Sequence, residues 1–172
     1  VVGGAAGAGF VWWKYLRDTP TLPSREALFA VNRAPGVRFE DRSGQVIATR
    51  GPRYGQRIGL AGLPNYVPLA FLAAEDKRFY QHGAIDPYGI ARAAYVNHKA
   101  GRTVQGASTL SQQLAKGLFL TPDRTVKRKL QEMLMAYRLE QVLSKDEVLE
   151  LYLNRVFFGA NTFGVDGASR TY

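Results

Sequence analysis

Cysteine is absent from the 172 residues, and histidine occurs only twice. The first absence excludes disulfide scaffolds, thiolate metal sites and thiol nucleophiles. The two histidines, His82 and His98, are not spaced as a ligand pair on one helix, and no acidic run follows a calcium-loop pattern, so no metal constellation emerges. Acidic side chains are also scarce: 14 Asp and Glu against 23 Lys and Arg leave a net charge of +9. That excess calls for an anionic partner, and nucleic acid, a phospholipid surface and a phosphorylated substrate all have the right sign. Long apolar runs are missing as well. The uncharged stretch from Val1 to Trp13 falls short of the roughly 20 residues that span a bilayer.

What is present is a globular chain: 46% hydrophobic and 12% aromatic residues exceed what a disordered basic tail carries. Residues 1–17 read as the trailing part of a transmembrane helix, with Trp12, Trp13 and Tyr15 bunched where an interface attracts aromatics and Lys14 and Arg17 able to snorkel. Residues 18–63 read as a stalk containing Pro20, Pro23 and Pro35, followed by a short hairpin around Ser43-Gly44. Residues 64–172 read as a mostly helical domain that is incomplete at its C-terminal end. Asp86-Pro87 opens a helix to about Ala100, the Thr109-x-x-Gln112 capping box a second, Thr121-Pro122 a third reaching about Leu143, and Ser144-x-x-Glu147 a fourth.

Helical spacing sorts the polar residues onto faces. On a helix over about Val67–Tyr80, Glu75 shares its face with Phe71, Leu72 and Phe79. Desolvation there would disfavour the charged carboxylate, the setting of a general acid or base. A surface ion pair with Lys77 or Arg78 is the plainer reading of the same spacing. Thr109, Gln113 and Lys116 form a polar stripe that suits a polyoxygenated ligand or a solvated face. The long helix is expected to bury Val126, Leu130, Met133, Leu134 and Tyr137, with Arg124, Arg128 and Glu132 opposite. Arg128 suits bidentate phosphate binding, with Lys127 and Lys129 able to add point charges, while the plainer reading of Lys127, Lys129 and Lys145 is solvated or membrane-facing charge. No nucleophile elbow and no nucleic-acid module occurs, and the aromatics do not interleave with the basic residues.

Four segments in order resemble glycosyltransferase family 51, the peptidoglycan transglycosylase domain of class A penicillin-binding proteins and of monofunctional enzymes. Glu75-Asp76 with Phe79 and His82 resembles the first motif, and Gly106 to Lys116, with Thr109 and Gln113, the second. Arg128-Lys129 with Glu132 resembles the third, and Lys145 to Asn154 followed by Gly159 and Gly164 the fourth. Ala84 stands where the family usually places glycine, and Gly117 where it has asparagine.

The resemblance implies a lysozyme-like, bilobal, mostly α fold and an inverting reaction that polymerises lipid II, with undecaprenyl diphosphate leaving. Glu75 would be the base, and Glu132 the second acidic group, orienting cations or holding a divalent ion through the diphosphate. Lys116 and Arg128 would bind that diphosphate, while Asp76, Phe79, His82, Thr109 and Gln113 would shape the sugar subsites. No obligatory cofactor is implied, magnesium or manganese being the optional one. The expected partners are lipid II, the growing lipid-linked strand, a membrane surface and a C-terminal transpeptidase domain in a parent protein, with no nucleic acid. The expected location is the bacterial cytoplasmic membrane, with a single-pass anchor and the catalytic domain on the periplasmic face. The competing readings are a lysozyme-like glycan hydrolase or lytic enzyme, and a non-enzymatic membrane-anchored basic module.

Overall fold

The computed structural model describes residues 12–30 and 36–172. Seven α-helices carry the described chain: α1 (Arg25–Phe29), α2 (Tyr66–Glu75), α3 (Pro87–Ala100), α4 (Leu110–Phe119), α5 (Val126–Val142), α6 (Lys145–Arg155) and α7 (Val165–Thr171). The strands are short: β1 (Val37–Glu40) pairs antiparallel with β2 (Val46–Arg50), and β3 (Arg53–Tyr54) pairs parallel with β4 (Thr162–Phe163). The mostly helical expectation holds. The hairpin also stands where it was expected, its turn closed by Asp41 accepting from the Ser43 and Gln45 amides and by Gly44 at a φ of +86°. The β3–β4 pair, which joins segments over a hundred residues apart, had no signal in either segment.

The core forms where α4 packs on α5 and α6. Leu110, Leu114 and Ala115 meet Met135, Ala136 and Leu139, with Val148, Leu149 and Leu153 completing the cluster. Burial of this apolar surface is the main favourable term in folding. The long helix differs from its expected orientation. Val126 and Tyr137 are exposed, while Glu132, Met135, Ala136 and Leu139 face inward. Its start also lies later than Thr121-Pro122, because the Thr125 hydroxyl accepts from the Arg128 amide and supplies the cap, whereas Thr121 donates to Asp123.

Caps at two other helices follow the sequence. Ser144 and Glu147 make both bonds of the capping box at α6, and α3 closes at Gly101 with a φ of +63°. At α4 only half of the expected box forms: Thr109 accepts from the Gln112 amide, but the Gln112 side chain reaches the Ala84 carbonyl instead.

Residues 18–30 form a strap along the helical body. Lys127 pairs with Asp18, Arg138 donates to the Pro20 carbonyl, and Arg25 pairs with Glu147. Leu28 enters the core at 3% exposure. Of the expected transmembrane remnant, residues 1–11 lie outside the described residues, and Trp12–Leu16 form a single wide helical turn packed on α5. Residues 31–35 of the expected stalk also lie outside. Among the described residues, no helix is long and apolar enough to cross a membrane.

Candidate active site

Glu75 is the last residue of α2, because the chain turns inward at the next position. The Asp76 carboxylate accepts from the Leu110 amide at 3.0 Å and approaches His82 Nε2 at 2.8 Å, which draws the backbone out of helical geometry. Phe79 therefore does not share a face with Glu75 and sits instead in the core at 1% exposure. This corrects the expected aromatic surroundings. Glu75 is exposed, and its partner is neither Lys77 nor Arg78 but Gln113, whose Nε2 donates to Oε2 at 2.9 Å.

The carboxylate opens into a cleft of about 750 Å³, lined also by Lys77, Arg78, Arg92, Gln105 and Ser108. Arg78 is occupied by Asp86. Burial raises the Asp86 carboxyl, but the Gly89 amide, Arg78 and His82 together outweigh it and hold the group below the ordinary carboxylate range. Gln113 also lines a second hollow of about 460 Å³, whose wall includes Lys116, Leu118, Tyr152 and Phe157. The rings of Tyr54 and Phe163 stack at 5.1 Å along this apolar groove, and Phe157 tilts against Phe163 at 5.0 Å. Lys116 is exposed there. The two hollows thus meet at Gln113, one carrying the carboxylate and the other a cation above apolar walls.

Behind the cleft lies a second charged group. Glu132 is buried at 2% exposure and pairs with both Arg128 and Lys129. Lys129 Nζ also donates to Ser108 at 2.8 Å and to the Gln112 Oε1 at 2.9 Å, tying the loop before α4 to α5. Lys129 was read from sequence as a solvated charge, and its place three residues before Glu132 was the signal that it was not. Both Glu132 oxygens are taken by cations, so the site does not fit a divalent ion held by this residue. Among the described residues no cluster of three or more metal-binding side chains occurs.

The structure brings Glu75, Gln113 and Lys116 to open surface but keeps several expected subsite residues beneath it. The Asp76 and His82 side chains are 7% and 6% exposed, and Thr109 donates to the Ala84 carbonyl at 2.8 Å. The His82 Nδ1 faces the Gly83 carbonyl at 2.6 Å. These groups fix the floor of the cleft. Asn154, from the fourth motif, reads the backbone of Ile58 with both ends of its amide, at 2.9 Å and 2.8 Å. Gly164 beside it has a φ of +76°, and a Cβ there would lie 2.7 Å from the Asn154 carbonyl oxygen.

Comparison with known proteins bears on what this cleft does. The transglycosylase family model matches residues 43–172, and the model for the penicillin-binding protein N-terminus matches residues 1–42. Penicillin-binding protein 1A of Escherichia coli (strain K12) is 42% identical over 166 residues, covering 96% of this chain and 20% of the relative. The protein of the same name from Aquifex aeolicus (strain VF5) is 44% identical over 151 residues, covering 88% of this chain and 21% of the relative. That of Neisseria flavescens is 39% identical over 166 residues, with 96% and 21% covered. The chain spans about a fifth of the length of these curated relatives. A match that runs from the hairpin turn to Tyr172 takes in all four motifs, and the chain accordingly belongs to the transglycosylase family.

Proposed function

We propose that the cleft joins two lipid-linked glycan substrates, with lipid II as acceptor and the growing strand on its undecaprenyl diphosphate as donor. The acceptor 4-hydroxyl lies in the hollow that holds Glu75. Its oxygen attacks the donor anomeric carbon as the bond from that carbon to the diphosphate oxygen breaks, inverting the centre. The hydroxyl proton passes to Glu75, and the bonding electron pair leaves on the diphosphate. A leaving diphosphate needs charge neutralisation more than a proton, and preorganised cations strengthen their hold as charge develops. Lys116, exposed at the rim of the apolar groove, meets that charge directly, while the lipid follows the apolar walls. Arg128, held by Glu132, adds positive field from behind.

The observation that carries this reading is that the two hollows share Gln113, one lined by the Glu75 carboxylate and the other by Lys116. A hydrolase needs a protonated acid and a water, and gains nothing from a cation above an apolar groove. The lysozyme-like, bilobal arrangement, the single-pass anchor in the cytoplasmic membrane with a periplasmic catalytic face, and a following transpeptidase domain are part of the same proposal. The relatives' greater length and the apolar residues 1–13 support them. An optional divalent cation, magnesium or manganese, would be carried by the substrate diphosphate and not held by Glu132.

Glu75→Gln tests the assignment. The variant is expected to give no glycan ladder from labelled lipid II while keeping the parent circular dichroism and melting temperature. A ladder at the parent rate would sink the role of Glu75, and release of free disaccharide by the parent chain would favour the hydrolase.

A further inference from the structure

Gln113 is an amide, and an amide can face a carboxylate with either end. Only one end is useful, since the carbonyl would repel an ionised Glu75 whereas the NH2 donates to it. The groups on both sides agree on that orientation: Gln113 Nε2 donates to Glu75 Oε2 at 2.9 Å, and the Tyr152 hydroxyl donates to Gln113 Oε1 at 3.4 Å. Glu75 is exposed and Tyr152 is 6% exposed, so the fixed end of this chain of three is the phenol. We infer that Tyr152 is a positioning residue of the transfer reaction, acting through Gln113 to hold the carboxylate of Glu75 with one oxygen engaged and the other open to the acceptor hydroxyl.

The inference rests on the assignment of Glu75 as base. Three further observations support it. The ring of Tyr152 packs edge-on against Phe71 with centroids 6.2 Å apart, and Phe71 lies one turn before Glu75 on α2. Phe71 in turn meets Phe158 at 5.9 Å, so the helix that ends in the base is gripped from α6 and from the chain following it. Burial, with the negative charge of Glu75 adding to it, pushes the Tyr152 hydroxyl up to about 12, so it stays a protonated donor throughout the working range. Ring and hydroxyl thus have separable duties: the ring seats the helix, and the hydroxyl turns the amide. A flipped amide would ask the phenol to accept instead, leaving its own proton without an acceptor in a buried place.

Because duties separate, so do the variants. Tyr152→Phe keeps the ring and its contact with Phe71, and its melting temperature is expected within about 4 °C of the parent. Its kcat for lipid II polymerisation is expected to fall about fivefold to tenfold, with KM within about twofold, as loss of one orienting hydrogen bond implies. The double variant Gln113→Ala with Tyr152→Phe is expected to be no slower than Gln113→Ala alone, since the hydroxyl acts only through that amide. An unchanged kcat in Tyr152→Phe, an effect confined to KM, or losses that multiply in the double variant would each overturn the inference. Glu75→Gln, run alongside, separates the two levels. Activity retained there removes the base itself, whereas an inactive Glu75→Gln with a fully active Tyr152→Phe removes only the role of Tyr152.

Discussion

At the scale of single residues, Asp76 decides where Glu75 can stand. Its carboxylate accepts from the Leu110 amide and lies 2.8 Å from His82 Nε2, both within the protein interior. Removing it orphans the buried Leu110 amide and takes away the partner of the His82 ring, and an unsatisfied buried group costs about 1 to 3 kcal/mol. Asp76→Ala is therefore expected to lower the unfolding free energy by about 3 kcal/mol, measured by urea titration, and to impair catalysis by letting α2 run past Glu75. Unchanged stability would show that the Leu110 amide finds another acceptor. The same residue shows how far the sequence could be read. The family resemblance put Asp76, His82 and Thr109 among the sugar subsites, and it gave no sign that they lie beneath the surface of the cleft. Periodicity gives direction around a helix axis and says nothing of depth. Nor does any glycine or proline mark the end of α2 after Glu75, because what ends that helix is a bond to a residue 34 positions later. Glu75 was singled out by its motif, yet its exposure and its partner Gln113 were not legible.

At the scale of elements, what could be read were local signals, and what could not were those that tertiary packing overrides. The capping box of α6 needs only Ser144 and Glu147, and both bonds form. The face of α5 needs its neighbours: Arg128 and Glu132, read as the outer face, turn inward because each neutralises the other and Lys129 adds a second cation. Ser144→Ala is expected to cost about 1 kcal/mol, the usual worth of such a cap. The cap also carries a pH dependence. The Ser144 amide, then Arg25, hold the Glu147 carboxyl below its ordinary value of 4.5. A carboxyl lowered on folding contributes stability that is complete above the unfolded value and is lost as pH falls through the folded one. Glu147→Gln is thus expected to be less stable than the parent near neutral pH, with the gap closing as urea midpoints are followed downward from pH 5. A gap independent of pH would mean that the charge of Glu147 contributes nothing.

Over the whole molecule, the +9 charge divides by what the fold does with it. Arg78, Arg128, Lys129 and Lys145 are committed to Asp86, Glu132 and Glu140, where they hold loops and helices together. Lys77 and Arg92 line the Glu75 cleft, Lys116 lines the apolar groove, and no ion pair among the described residues claims any of the three. Of these, Lys116 stands where the proposed function puts the diphosphate, and exposed charge of this kind is screened by salt. Raising ionic strength from about 0.1 to about 1 M shortens the Debye length from about 10 to about 3 Å. KM for lipid II is expected to rise several-fold over that range. In Lys116→Ala, the KM at low salt is already raised by about tenfold or more, as loss of a charged hydrogen bond to phosphate predicts, and the further rise with salt is smaller. The fold answers to other forces. Leu28 anchors the strap in an apolar core, and Glu132 with its partner Arg128 is largely withdrawn from solvent, so the melting temperature is expected to stay nearly level across the same salts. A KM that ignores salt would remove the cationic groove from substrate binding. A melting temperature that falls in step with affinity would move the effect from the cleft to the fold, because only a substrate held by uncommitted cations separates the two measurements.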